Sequence, residues 1–279
     1  MESYLNNRFY ILFLFPFTLG ALTVFSFQPF NFSFINFIVL PIFFYLVVYI
    51  KKKSKSTYRK KPYKKNFFIF GTMFGFGYFL SGLHWITNSL TFDENFKILI
   101  PFGVILIPLF LSLFFSIVSV ILGPFLSLNL SSIFLLSSGL AFSDYLRAKI
   151  LTGFPWNLWS YSFAWNNEIL QILNLIGLFA FNCILITFFM FPAILFFKFN
   201  YIKKFILLSL IPFIFFLLYV HGNYLINKNQ KYIEIFEKKY FIKVVSPNFE
   251  LNFGLSKQDI ENRLKKLIRY SDPSSEKKT

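Results

Sequence analysis

Few side chains in this sequence could do chemistry, and they gather in short segments. Asp144 and Arg147 stand three apart, so on a helix they share a face and can pair across a turn. Charges inside an apolar stretch cost about 3 kcal/mol each unless paired or wetted. The pair is therefore either a functional site or a structural tie at a helix end. Directly after it comes Thr152-Gly153-Phe154-Pro155-Trp156, with Trp159, Tyr161 and Trp165 close behind. Such rings suit the headgroup level of a bilayer, where Trp and Tyr concentrate, so an aromatic belt explains them as readily as a substrate site. Gly75, Gly77 and Gly82 lead into His84-Trp85, a pattern for close helix packing that ends at an interface. There His84 reads as a hydrogen-bonding residue rather than a ligand.

The obvious nucleophile fails. Cys183 is the sole cysteine, and it lies between Asn182 and Ile184 in the middle of an apolar run. A reactive thiol needs a nearby base and an accessible, electropositive setting, so Cys183 reads as structural. One cysteine also excludes a disulfide within the chain and a zinc site built on thiolates. Neither a metal-binding His/Asp/Glu cluster, nor a glycine loop for phosphate, nor a Ser/His/Asp arrangement is visible, and we expect no cofactor and no metal.

The elements that position these residues are set by composition. Charged residues are 14% of the 279 and hydrophobic ones 56%, with 45 Phe, against about a quarter charged in a soluble domain. A backbone in hydrocarbon must satisfy its own hydrogen bonds, so such runs become helices. The expected fold is an all-α membrane bundle of about seven spans. These lie near Arg8–Phe27, Phe34–Ile50, Asn66–Ile86, Ile98–Leu122 (with Pro101 and Pro108 as kinks), Ile133–Ile150, Ile169–Phe197 and Phe205–Val220. The first lacks a basic leader and a cleavage site, so we expect an uncleaved helix. The net charge of +16 is concentrated: nine basic residues fall between Lys51 and Lys65. That places this loop, and the one with Lys198, Lys203 and Lys204, on the cytoplasmic side, together with the N-terminus. Nucleic acid is the weaker partner for these charges. The loops at 28–33, 87–97 and 148–168, and the C-terminal tail, then face outward.

From Asn223 the chain turns polar. Tyr240–Val245 has the composition of a strand, and Ser256–Tyr270 reads as an amphipathic helix with a Ser256/Asp259 capping box and Ile260, Leu264, Leu267 and Ile268 on one face. A lone strand and helix cannot form a domain. Residues 1–222 are accordingly expected to be the bundle and 223–279 the start of an outer α/β domain.

These segments resemble the apolipoprotein N-acyltransferase family. The resemblance rests on Phe27-Gln28-Pro29-Phe30, Gly75-Phe76-Gly77-Tyr78 through Gly82-Leu83-His84-Trp85, Asp144-x-x-Arg147 with Thr152–Trp156, and Val244-Val245-Ser246-Pro247-Asn248. It implies a bacterial inner-membrane enzyme with a periplasmic nitrilase-like domain. A Cys of that domain takes an acyl chain from a phospholipid, typically phosphatidylethanolamine, and passes it to the α-amino group of an apolipoprotein's diacylglyceryl-cysteine. The family's Glu, Lys and Cys are expected beyond Thr279, so no catalytic role passes to any residue here and these residues alone are expected to be inactive. The resemblance leaves His84, Trp85, Asp144, Arg147, Pro155, Trp156 and Asn248 as substrate- or lipid-facing candidates. Asp144 stands where the family usually has Glu, Ser246 where Gln is common, and Gly254-Leu255 where Lys-Trp is usual. A non-enzymatic membrane scaffold or lipid-binding module, or one half of a split enzyme, are the alternatives.

Overall fold

The computed structural model describes residues 8–53, 62–150, 153–235, 243–249 and 254–271. Among these residues the chain is helical and carries no strand. The longer helices are α1 (Phe15–Leu22), α2 (Asn36–Lys53), α3 (Pro62–Leu83), α4 (Ile100–Leu122), α5 (Leu130–Arg147), α6 (Leu178–Met190), α7 (Tyr201–Ile235) and α8 (Lys257–Ser271). With their short 3-10 extensions, five segments are long and apolar enough to cross a membrane: Ser33–Lys53, Lys64–Phe92, Glu94–Phe125, Leu178–Phe196 and Tyr201–Ile235. Two expected spans fall outside this group. Tyr10–Ser26 is apolar but short, and α5 carries Asp144, Arg147 and several serines. The span expected at Ile169–Phe197 also starts later. Gly177, at φ +76°, breaks the chain, and two single-turn helices (Asn167–Leu170 and Leu173–Ile176) precede α6. Pro101 lies in the first turn of α4, where its missing N–H leaves no gap; only Pro108 is interior.

The chain divides into two compact units, Met1–His84 with Val104–Lys228, and Trp85–Gly103 with Asn229–Thr279. In the first, small residues let helices approach closely, as they must where no hydrophobic effect drives packing between apolar helices. A Cβ on Gly71 would lie 2.6 Å from Ser116 Cα, and one on Gly75 would lie 2.7 Å from Ser112 Cα, so these residues of α3 fit against α4. On its other side α3 packs on α1, where Gly20 and Gly77 leave no room for a side chain beside Phe74 and Phe17. Hydroxyls tie the helices further: Thr72 to Ser116 (2.7 Å, α3 to α4), Thr187 to Ser137 (2.8 Å, α6 to α5) and Ser143 to the Phe114 carbonyl (3.2 Å, α5 to α4). Phe43, Phe70, Phe74 and Phe115 fill the space between, with Phe43 and Phe74 ring centroids 4.4 Å apart.

The second unit contains α8, close to the expected bounds. Its capping box is formed: Ser256 Oγ accepts from the Asp259 N–H (3.1 Å), while the Ser256 hydroxyl (2.6 Å) and N–H (3.3 Å) both donate to Asp259 Oδ2. The two bonds donated by Ser256, the hydroxyl's first, hold the Asp259 carboxyl below its ordinary value. Ile260, Leu264, Leu267 and Ile268 are exposed. The expected strand at Tyr240–Val245 lies partly outside the described residues; Lys243–Val245 are not strand, and no other described segment offers the ladder a strand requires.

Candidate functional site

The site is built on the last turn of α5. Asp144 and Arg147 form an ion pair, Nη2 to Oδ1 at 3.0 Å, inside the protein: they are 6% and 2% exposed. A buried ion pair is favourable only when its remaining donors and acceptors are also met. Here they are. Asn182, fully buried on α6, donates to Asp144 Oδ2 at 2.9 Å and accepts from the Ser160 N–H at 3.0 Å. The other guanidinium arm, Nη1, donates to the carbonyls of Phe154 (2.7 Å) and Trp156 (2.6 Å). The Phe79 ring lies 5.1 Å from the guanidinium carbon.

Arg147 thus grips the loop that follows its own helix. Its main-chain carbonyl also accepts from the Phe154 N–H at 3.0 Å. The loop can turn back so tightly because Gly153 adopts φ +85°, where a side chain would strike the Ala148 carbonyl. Further along, Asn157 takes a left-handed conformation, φ +55°, and its carbonyl accepts the Tyr78 hydroxyl of α3. Trp159 is buried against Tyr78, with centroids 5.0 Å apart. Ser33, just before α2, donates to the Ser162 carbonyl (2.5 Å) and accepts from Trp165 Nε1 (3.1 Å). Three helices, with Ser33 just before a fourth, therefore fix one loop. Burial pushes the Tyr161 hydroxyl above its ordinary range, opposed by Arg147 and reinforced by Asp144.

This loop presents Pro155 and Trp156 outward, with Trp156 48% exposed. Of the residues expected from sequence, Asp144, Arg147, Pro155 and Trp156 come together here; Thr152 lies outside the described residues. His84 follows α3, exposed, with Nδ1 3.1 Å from the Ser81 carbonyl. Trp85 and Asn248 belong to the other compact unit, where both are exposed and Asn248 has φ +47°. Sequence reasoning passed over Asn182, Asn157 and Ser33. The amide of Asn182 inside an apolar run was the signal available, since a polar side chain there needs a partner. Cys183 is half-buried and packed against the hydrophobic core. No group of His, Cys, Asp and Glu suited to a metal occurs among the described residues.

Apolar helices held by small residues, with one aromatic loop clamped by a buried ion pair, define a polytopic membrane protein. The family profile for the apolipoprotein N-acyltransferase N-terminal domain matches residues 19–191, more than half of the chain. The chain belongs to the apolipoprotein N-acyltransferase family. It is 32% identical over 179 residues to the apolipoprotein N-acyltransferase of Brucella suis, covering 63% of this chain and 33% of that one. The corresponding protein of Bradyrhizobium diazoefficiens is 33% identical over 179 residues, covering 64% and 32%. That of Rickettsia bellii is 34% identical over 117 residues, covering 42% and 23%. The matched part spans about a third of the length of the first two relatives.

Proposed function

We propose that this chain is the membrane portion of an apolipoprotein N-acyltransferase, serving transfer of an acyl chain from a phospholipid to the N-terminal diacylglyceryl-cysteine of an apolipoprotein. The observation that carries this reading is the clamp of Asp144, Arg147 and Asn182 on the Phe154–Trp156 turn, within the region matched by the family profile. A rigid loop with exposed Pro155 and Trp156 suits a surface that meets lipid headgroups and a lipidated peptide. In this reading Tyr10–Ser26 and α5 also cross the bilayer, giving seven spans with the N-terminus cytoplasmic. The loop then faces the periplasm of a bacterial inner membrane. The periplasmic α/β domain expected from residue 223 then begins only after α7, which runs on to Ile235, and includes Asn248.

The bundle's part in the reaction is binding and orientation. A two-step acyl transfer needs a thiolate that substrate can reach. In this reading Cys183, half-buried against the core on α6, is not that thiolate. The chain is therefore expected to gather both substrates without forming a thioester. The test uses purified chain in phosphatidylethanolamine vesicles with a diacylglyceryl-cysteine lipopeptide carrying a photoactivatable group. Labelling of the Gly153–Trp165 loop, competed by unmodified lipopeptide and without hydroxylamine-sensitive acyl label on Cys183, is the expected result. Random labelling along the bundle, unaffected by competitor, would remove the basis for the proposal.

A further inference from the structure

The end of the helical unit away from the clamped loop is uniformly basic. Lys51, at the end of α2, donates to the Leu126 carbonyl at 2.7 Å; Lys204, at the start of α7, donates to the Leu195 carbonyl at 2.9 Å. Tyr45 and Phe196, with centroids 4.8 Å apart, join these two regions, and Arg8 meets Asn66 near the start of α3 at 2.9 Å. Arg8, Lys52, Lys64, Lys65, Lys198 and Lys203 are exposed there. Among the unit's described residues the carboxylates are Asp144 and Glu168, and both lie at the opposite end, with the loop. The cations therefore share one face with no described carboxylate to balance them.

Large apolar side chains stand beside these charges. Leu195, Phe196, Tyr201, Ile202 and Phe205 are all exposed next to Lys198 and Lys203, and Lys203 Nζ lies 4.3 Å from the Phe199 ring centroid. A surface basic at its rim and apolar immediately below matches a molecule with a phosphate head and an acyl tail. A soluble polyanion would use the charge and leave the apolar part in water. We infer that this end of the bundle holds anionic phospholipid headgroups, as a lipid site remote from the clamped loop. The inference rests on the chain's membrane embedding and not on its enzymatic reading.

The whole chain, reconstituted in vesicles of equal phosphatidylcholine and phosphatidylglycerol, is released and its retained lipids are weighed by native mass spectrometry. Each cation near an anionic surface strengthens attraction about fivefold. Phosphatidylglycerol is expected to exceed phosphatidylcholine about tenfold or more, with the excess falling as salt rises. The variant Lys52→Gln/Lys64→Gln/Lys65→Gln/Lys203→Gln should lose most of that excess, and the matching Lys→Arg variant should keep it. Equal retention of the two lipids by the unaltered chain, or an excess insensitive to salt, would overturn the inference even if the Gln variant does not fold. An excess unchanged in a folded Gln variant would also overturn it.

Discussion

At the scale of single residues, the Asp144–Arg147 pair is a structural tie that also shapes the proposed site. Both acidic oxygens are occupied, and both guanidinium arms make hydrogen bonds. Removing one partner strands a buried charge. Asp144→Ala or Arg147→Ala is expected to destabilise the bundle by about 3–5 kcal/mol. Reversible unfolding in mixed micelles measures this, and a loss below about 1 kcal/mol would mean the pair is solvated. Asn182→Leu leaves Asp144 Oδ2 and the Ser160 N–H without their partner, at about 1–3 kcal/mol each. It should also make the Gly153–Trp165 loop more susceptible to protease, an effect absent if Asn182 only fills space. Trp156→Ala, at an exposed position, should leave stability within about 0.5 kcal/mol while reducing lipopeptide photolabelling. The pairing of Asp144 with Arg147 was legible from their spacing alone. Their partners were not, because a single sequence does not reveal that Asn182, 38 positions further on, faces the same carboxylate.

At the scale of elements, the glycines of α3 matter more than its phenylalanines' identity. Gly71 and Gly75 each leave under 3 Å between an added Cβ and the backbone of α4. Gly75→Val should force α3 and α4 apart at a cost of about 1–3 kcal/mol, with Phe74→Leu milder. Comparing their unfolding transitions checks this ordering. In α8 the carboxyl of Asp259 is held low by Ser256. Its contribution to the helix is therefore present above the unfolded-state value and lost as pH falls through the folded one. Ser256→Ala should raise the Asp259 titration toward the ordinary carboxylate range, read by carboxyl carbon NMR; an unchanged midpoint would deny the capping box its role. The apolar runs made most spans legible, and the capping pattern located α8. The break at Gly177 was hidden, because apolar residues continue on both sides and the backbone's positive φ is not visible in a sequence. Of the strand expected at Tyr240–Val245, only Lys243–Val245 are described, and composition could not show whether a partner strand lies beside them.

At the scale of the whole helical unit, two chemically different ends are joined by apolar helices. The lysines of α2 and α3, with Lys203 and Lys204 at the start of α7, occupy one end, and the clamped aromatic loop occupies the other. Charge patterning led to the expectation of such a division, since basic loops favour the cytoplasmic side of a bilayer. If the chain works as proposed, the two ends face different compartments. In a Cys183→Ser background, Lys64→Cys and Trp156→Cys can each be probed with a membrane-impermeant maleimide in spheroplasts and in inverted vesicles. Trp156→Cys is expected to be labelled in spheroplasts and Lys64→Cys in inverted vesicles. Labelling of both from the same side would contradict the proposed topology and, with it, the placing of the loop where lipoprotein substrates arrive.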